Sequence, residues 1–147
     1  MSAGLARKTI RERIRDRVLT VSGFSESPFH PQSLGRNPKN RGDKVFSVFF
    51  AATSEDGGRQ RQGEGIKITY DCVVSYLMQI KPHTAVTSYE DALDAEESII
   101  QAIINPSSPL YTKTQIRYTS SSTAELTDTG EFQLTLINFT IQSFFTL

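Results

Sequence analysis

Apolar residues along this chain recur at two spacings, one helical and one typical of strands, and the switches between them mark out the elements. From 5 to about 21, Ile10, Ile14, Val18 and Val21 return every three or four residues with Ala6 on the same stripe, which predicts an amphipathic helix. Val45-Phe46-Ser47-Val48-Phe49-Phe50-Ala51-Ala52 predicts a strand rich in aromatic and β-branched residues and apolar on both faces. It is either central or covered by another subunit. From 66 to 80, Ile66, Ile68, Tyr70, Cys72, Val74, Tyr76, Met78 and Ile80 alternate with Lys67, Thr69, Asp71, Ser75 and Gln79. Such a run at roughly 3.3 Å per residue reaches about 50 Å, more than twice the usual strand, so the hairpin is expected to project beyond the body of the domain.

Ser88 and Asp91 form an S-x-x-D capping pattern that opens a second helix, running to 104 where Asn105-Pro106 stops it. Its buried stripe is expected at Tyr89, Ala92, Leu93, Ile99, Ile100, Ile103 and Ile104. A short strand at about 113–119 follows, then a Ser/Thr-rich loop turning at Asp128-Thr129-Gly130. The last strand, about 131–144, is apolar first at Phe132, Leu134 and Leu136, then on the other parity at Ile137, Phe139 and Ile141. That change implies either a bulge or a strand buried on both faces. The apolar end, Ser143-Phe144-Phe145-Thr146-Leu147, calls for a partner to cover it.

These elements define one α/β (α+β) domain over 1–147: a mainly antiparallel sheet of four to five strands, two helices packed on it, and a long hairpin between the first two strands. At 147 residues it buries roughly 70% of its extended surface, enough for a core without disulfides or metal. Between the first helix and the first strand, Pro28, Pro31 and Pro38 alternate with Gly23, Gly35 and Gly42 and no period survives. A connection of this length is expected to work as an extended arm, at about 23–44, laid over a neighbour.

Net charge is zero, but the charges are sorted. Residues 1–67 hold 13 Lys+Arg against 7 Asp+Glu, a net of +6, and residues 68–147 hold 3 against 9, a net of −6. Complementary halves suit head-to-tail self-association. The sorting localises to two rows: Lys8, Arg11 and Arg15 on the first helix, Glu90, Asp94 and Glu97 on the second. Arg17 and Glu96 fall inside the apolar stripes, where a lone charge is costly, so they are expected to pair with each other, within the subunit or across an interface. The alternative is that Arg17 snorkels to water and Glu96 sits at a rim.

Catalytic constellations are scarce. His30 and His83 lie in Pro-containing turns with no partner at metal-ligand spacing, and Cys72 sits on the apolar parity of the long strand as a small buried hydrophobe. The lone cysteine excludes an internal disulfide and favours a reducing, intracellular setting. DGGRQRQGEG has the glycines of a phosphate loop, but it lacks GK[ST] and joins strand to strand. No catalytic residue, metal or cofactor is expected, and no stretch has the length or apolarity of a membrane span. Lys8, Arg11 and Arg15 with Arg59 and Arg61 invite a nucleic-acid reading, which Glu12 and Asp16 dilute and the lack of interleaved stacking aromatics weakens.

Five features in order make the chain similar to the tail terminator (tail completion, minor tail protein) family of long-tailed phages with non-contractile tails. They are Ile10-Arg11-Glu12-Arg13-Ile14-Arg15-Asp16-Arg17-Val18 with the Pro-rich 28–37 stretch, the Arg59-Gln60-Arg61-Gln62-Gly63 hairpin tip, and the long strand 66–80; then Ala92-Leu93-Asp94-Ala95-Glu96, and the F-x-L-x-L-x-x-F-x-I strand from Phe132 to Ile141. The chain departs from the family in having no tryptophan. The resemblance implies a non-enzymatic structural virion protein. It would form a ring, expected to be a hexamer, that caps the tail tube, stops its polymerisation and joins the tail to the head. Expected partners are further copies of the chain, the tail tube protein and a head-tail connector or stopper, with non-specific contact to DNA passing through the lumen. Assembly would occur in the host cytoplasm and the mature location would be the virion neck. Lys8, Arg11, Arg15, Arg17, Glu90, Asp94, Glu96 and Glu97 are the candidate subunit interface, and Arg59, Gln60, Arg61 and Gln62 the candidate contact loop for tube or lumen. The rival readings are another neck component, a connector or stopper, and a non-specific DNA-binding accessory protein.

Overall fold

A computed structural model of the chain describes residues 7–37, 39, 41–55, 66–105, 114–126 and 132–145. The elements are α1 (Arg7–Leu19), β1 (Ser25–Glu26), β2 (Val45–Glu55), β3 (Ile66–Gln79), α2 (Ala85–Ile104), β4 (Thr114–Glu125) and β5 (Phe132–Phe145). They build one five-stranded sheet in the order β1-β2-β3-β5-β4, with both helices on one face. The fold is therefore α+β. The sheet is mixed, because β1 runs parallel to β2 while every other pair is antiparallel.

Strand alternation decides which side chains meet the helices. Ile68, Tyr70, Cys72, Val74, Tyr76 and Met78 of β3 are buried with Phe46 and Val48 of β2 and Ile137, Phe139 and Ile141 of β5. Against them α1 sets Ile10, Ile14 and Val18, and α2 sets Ala92, Ile99 and Ile103. Each of the larger apolar side chains contributes about 1.5–3 kcal/mol by leaving water. The Tyr76 hydroxyl donates to the Ala92 carbonyl at 2.8 Å, tying the central strand to α2. Phe24 meets the Tyr76 ring edge-on at 5.6 Å.

β3 does not stand clear of the body. It pairs with β5 without a register shift from Ile66↔Phe145 to Gln79↔Phe132, so the long strand is backed by a neighbour along its whole length. The unbroken register also decides between the two readings of β5: Ile137, Phe139 and Ile141 face the helices, while Leu134 and Leu136 emerge on the other face. Bulges occur elsewhere, between Phe50 and Ala52 in β2 and between Tyr118 and Ser120 in β4. The Ser/Thr-rich run expected as a loop is strand, since β4 continues to Glu125 against β5. Cross-strand pairing there overrides a composition that suits turns.

The S-x-x-D cap is not formed. A short 3-10 turn at Pro82–Thr84 feeds the chain into α2 at Ala85, one turn before Ser88. The Ser88 hydroxyl instead accepts a hydrogen bond from the Lys81 amide at 3.2 Å.

The described part of 23–44, expected to reach a neighbour, lies on its own sheet. Ser25 N bonds Lys44 O and Ser27 N bonds Phe46 O, which creates β1. A 3-10 turn at Pro31–Ser33 then crosses the face of the sheet opposite the helices. Ser47 Oγ is 2.8 Å from Pro31 O and 2.7 Å from Ser75 Oγ. A carbonyl only accepts, so Ser47 donates to Pro31 and Ser75 donates to Ser47. Gly35, at φ +84°, turns the chain where it passes Leu77, Leu126 and Leu134, and seats Leu34 in the same layer.

Candidate interaction surfaces

The α1 row of cations does not form one open surface. Lys8 is exposed and stands 4.0 Å from Glu12. Arg11 turns inward, with Nη2 at 2.7 Å from a Glu26 carboxylate oxygen and Nε donating to Val48 O at 2.8 Å. That carbonyl has a structural reason to need a donor. β1 covers β2 only at Val45 and Phe46, Ser27 N takes the Phe46 carbonyl, and the next carbonyl aimed the same way is that of Val48. Arg11 therefore extends the edge pairing by one bond and blunts the edge. Arg15 holds Asp16 at 3.0 Å, and this hydrogen bond raises its pKa.

Arg17 reaches neither water alone nor Glu96. Its guanidinium donates to the Ile103 carbonyl in the last turn of α2, where unpaired carbonyls and the negative end of the helix dipole favour a cation. Burial, with the neighbouring Arg13 charge, pulls its pKa down. Glu96 is half-buried near Tyr76, whose phenol is pushed up chiefly by burial and further by the Glu96 charge. Within the subunit the expected Arg17–Glu96 pair is thus replaced by a helix cap.

The α2 acids have a different fate. Glu90, Asp94 and Glu97 are exposed, and none forms an ion pair among the described residues. Tyr89, Leu93 and Ile104, expected in the buried stripe, are exposed by 48, 37 and 40%. Only the line Ala92, Ile99, Ile103, with Ala95 and Ile100 beside it, meets the core. The first turns of α2 also wall an open cleft of about 690 Å³ on the side of Thr87, Asp91, Asp94 and Ser98, facing Phe24 and Lys44, while Tyr89 and Leu93 lie outside it.

The sheet face opposite the helices carries a second opening. Leu34, Phe49, Leu134 and Leu136 line a groove of about 420 Å³ with Arg36 and Arg41 beside them. Arg41 also clamps the Gly35 carbonyl through Nε and Nη2, at 2.9 and 2.7 Å. Sequence reasoning did not assemble this groove. Its signal was the apolar parity of Leu134 and Leu136, which required burial on both faces of β5.

The remaining candidates are quickly placed. Arg59, Gln60, Arg61 and Gln62 lie outside the described residues. His30 is exposed and its Nδ1 accepts the Gln32 amide, while His83 is exposed in the turn before α2. Cys72 is buried on the central strand, and burial pushes its thiol up to about 12 despite the opposing Arg11 charge. At that value the nucleophilic thiolate is scarce at neutral pH. Among the described residues no three His, Cys, Asp or Glu side chains are grouped to hold a metal, and no helix is long and apolar enough to cross a membrane.

A scan against protein-family models gives no match to the chain, and a search of curated proteins gives none either.

Proposed function

We propose that the chain is a structural subunit of a phage neck, a tail terminator that assembles as a ring, caps the tail tube and joins it to the head. The observation that carries this reading is the order and length of the elements. A basic amphipathic helix, a Pro-rich crossing, a strand, a 14-residue strand, a 20-residue helix and a closing hairpin follow one another as the resemblance requires. Open surfaces on both sides of the sheet support self-association, because a subunit in a ring must offer two different contacts. Partners in this reading are further copies, the tail tube protein and a connector or stopper. A connector or stopper would share the ring habit and differ in binding the head rather than the tube.

The DNA-binding reading draws less support, since Arg11 and Arg15 are engaged by Glu26 and Asp16. Purified chain mixed with uncapped tail tubes and viewed by negative-stain microscopy tests the proposal. Rings seated on tube ends with growth arrested are expected. Tubes that lengthen unchanged in its presence overturn the terminator role.

A further inference from the structure

Two unfinished surfaces of this chain complement each other. On α2, Val86, Tyr89 and Leu93 fall at i, i+3 and i+7, one line along the helix, exposed by 73, 48 and 37%. Glu90, Asp94 and Glu97 run along one side of that ridge, exposed and without ion-pair partners among the described residues, Asp94 being also at the cleft that holds Lys44. Across the sheet, Leu34, Phe49, Leu134 and Leu136 line the open-face groove, with Arg36 and Arg41 at its side. An apolar ridge edged by carboxylates and an apolar groove edged by arginines complement each other in polarity and charge. The two cannot meet within one molecule, because the sheet separates them: α2 packs on the Tyr76 face, and the register places Leu134 and Leu136 on the other.

We infer that α2 of one copy docks in the open-face groove of a second copy, with Val86, Tyr89 and Leu93 against the leucines and Phe49, and the carboxylates toward the exposed Arg36, beside which Arg41 stays on the Gly35 carbonyl. Each copy offers the ridge on one side and the groove on the other, so the contact is heterologous and propagates head to tail. It rests on the ring reading only for its closure into a ring. The exposed ridge and the half-buried Leu134 and Leu136 of the groove then cover each other.

The test uses the full chain in a Cys72→Ala background. Tyr89→Cys and Leu136→Cys are made as separate variants, with Leu134→Cys replacing the latter should it not fold, and oxidised alone and as a mixture. Disulfide-linked dimers in the mixture alone are expected. Dimers in Tyr89→Cys alone indicate a two-fold ridge-to-ridge contact and overturn the inference. So do oligomers, seen by native mass spectrometry, that never cross-link, and so does a chain that stays monomeric. A triple Glu90→Lys, Asp94→Lys, Glu97→Lys variant, with folding followed by circular dichroism, should weaken self-association at least about tenfold. Unchanged assembly of that variant overturns the charge matching. Rings that cap tubes without the cross-link would remove the docking mode and leave the terminator reading standing. Cross-linked oligomers that never cap tubes would do the reverse.

Discussion

α1 and α2 are both amphipathic, both carry a charged row, and both bury three residues against the same sheet face, yet their charges do opposite work. Two α1 cations are turned back into the subunit, Arg11 completing the β2 edge and Arg17 capping α2, while Arg15 is neutralised by its neighbour Asp16 on the helix surface and Lys8 stays exposed beside Glu12. The α2 acids have no such partners among the described residues and stand beside exposed apolar side chains. A row of like charges is thus a surface only where neighbouring elements leave it one. α1 lies beside an unfinished strand edge with an open carbonyl to satisfy, whereas the acids of α2 meet no cation among the described residues.

The contrast can be broken in four ways. On the buried sides the helices should behave alike, so Ile14→Ala and Ile103→Ala should each destabilise by about 2–5 kcal/mol in chemical denaturation, with unchanged secondary structure. A much smaller loss at either site would mean that helix is not part of the common core. On the charged sides they should differ. Arg11→Met leaves the Val48 carbonyl and the Glu26 carboxylate without their donor and should cost about 1–3 kcal/mol by the same measurement.

On the sheet beneath α1, burial raises the Cys72 thiol and the Arg11 charge opposes it only in part. The thiol is raised from 9.0 to about 12 in the fold, so its share of stability is complete below about pH 9 and is lost as pH climbs toward 12. At pH 10 that loss is about 1.4 kcal/mol relative to neutral pH. Urea unfolding of wild type and Cys72→Ala at pH 7.5 and pH 10 isolates it from the tyrosines, and equal pH sensitivity in both proteins would refute it. The smallest effect belongs to α2. Glu90→Gln, Asp94→Asn and Glu97→Gln should each change monomer stability by less than about 0.5 kcal/mol. If Glu97→Gln were as damaging as Arg11→Met, the α2 acids would have a partner inside the subunit and the comparison would fail.

Much of the fold was legible before any coordinates. The period-2 run of β3 named its core face correctly from Ile68 to Met78, and the i, i+3, i+4 stripe of α1 named Ile10, Ile14 and Val18. Hydrophobic period reports burial on an element's own axis, so it is strongest where the neighbour covers the full length. It failed at Tyr89 and Leu93 because only the line through Ala92, Ile99 and Ile103 meets the sheet, and side chains to one side of that line keep the period without the burial. It failed for β4 because Ser and Thr suit turns and edge strands alike, and only the pairing with β5 chooses between them. The segment at 23–44 was illegible for a related reason: a two-residue strand and a 3-10 turn are too short to carry a period.

By itself the sequence determined the number of long elements, their order, the α+β class and the sorting of charge, because each depends on local spacing and count. Tertiary structure alone decided where every charge points. Arg11 required the free Val48 carbonyl, Arg17 the end of a helix 86 residues away in the chain, and the Leu134/Leu136 groove the packing of the Pro-rich segment on the sheet. Guanidinium groups on long side chains settle on whichever acceptors the fold leaves unmatched, and those acceptors exist only once the sheet has been assembled.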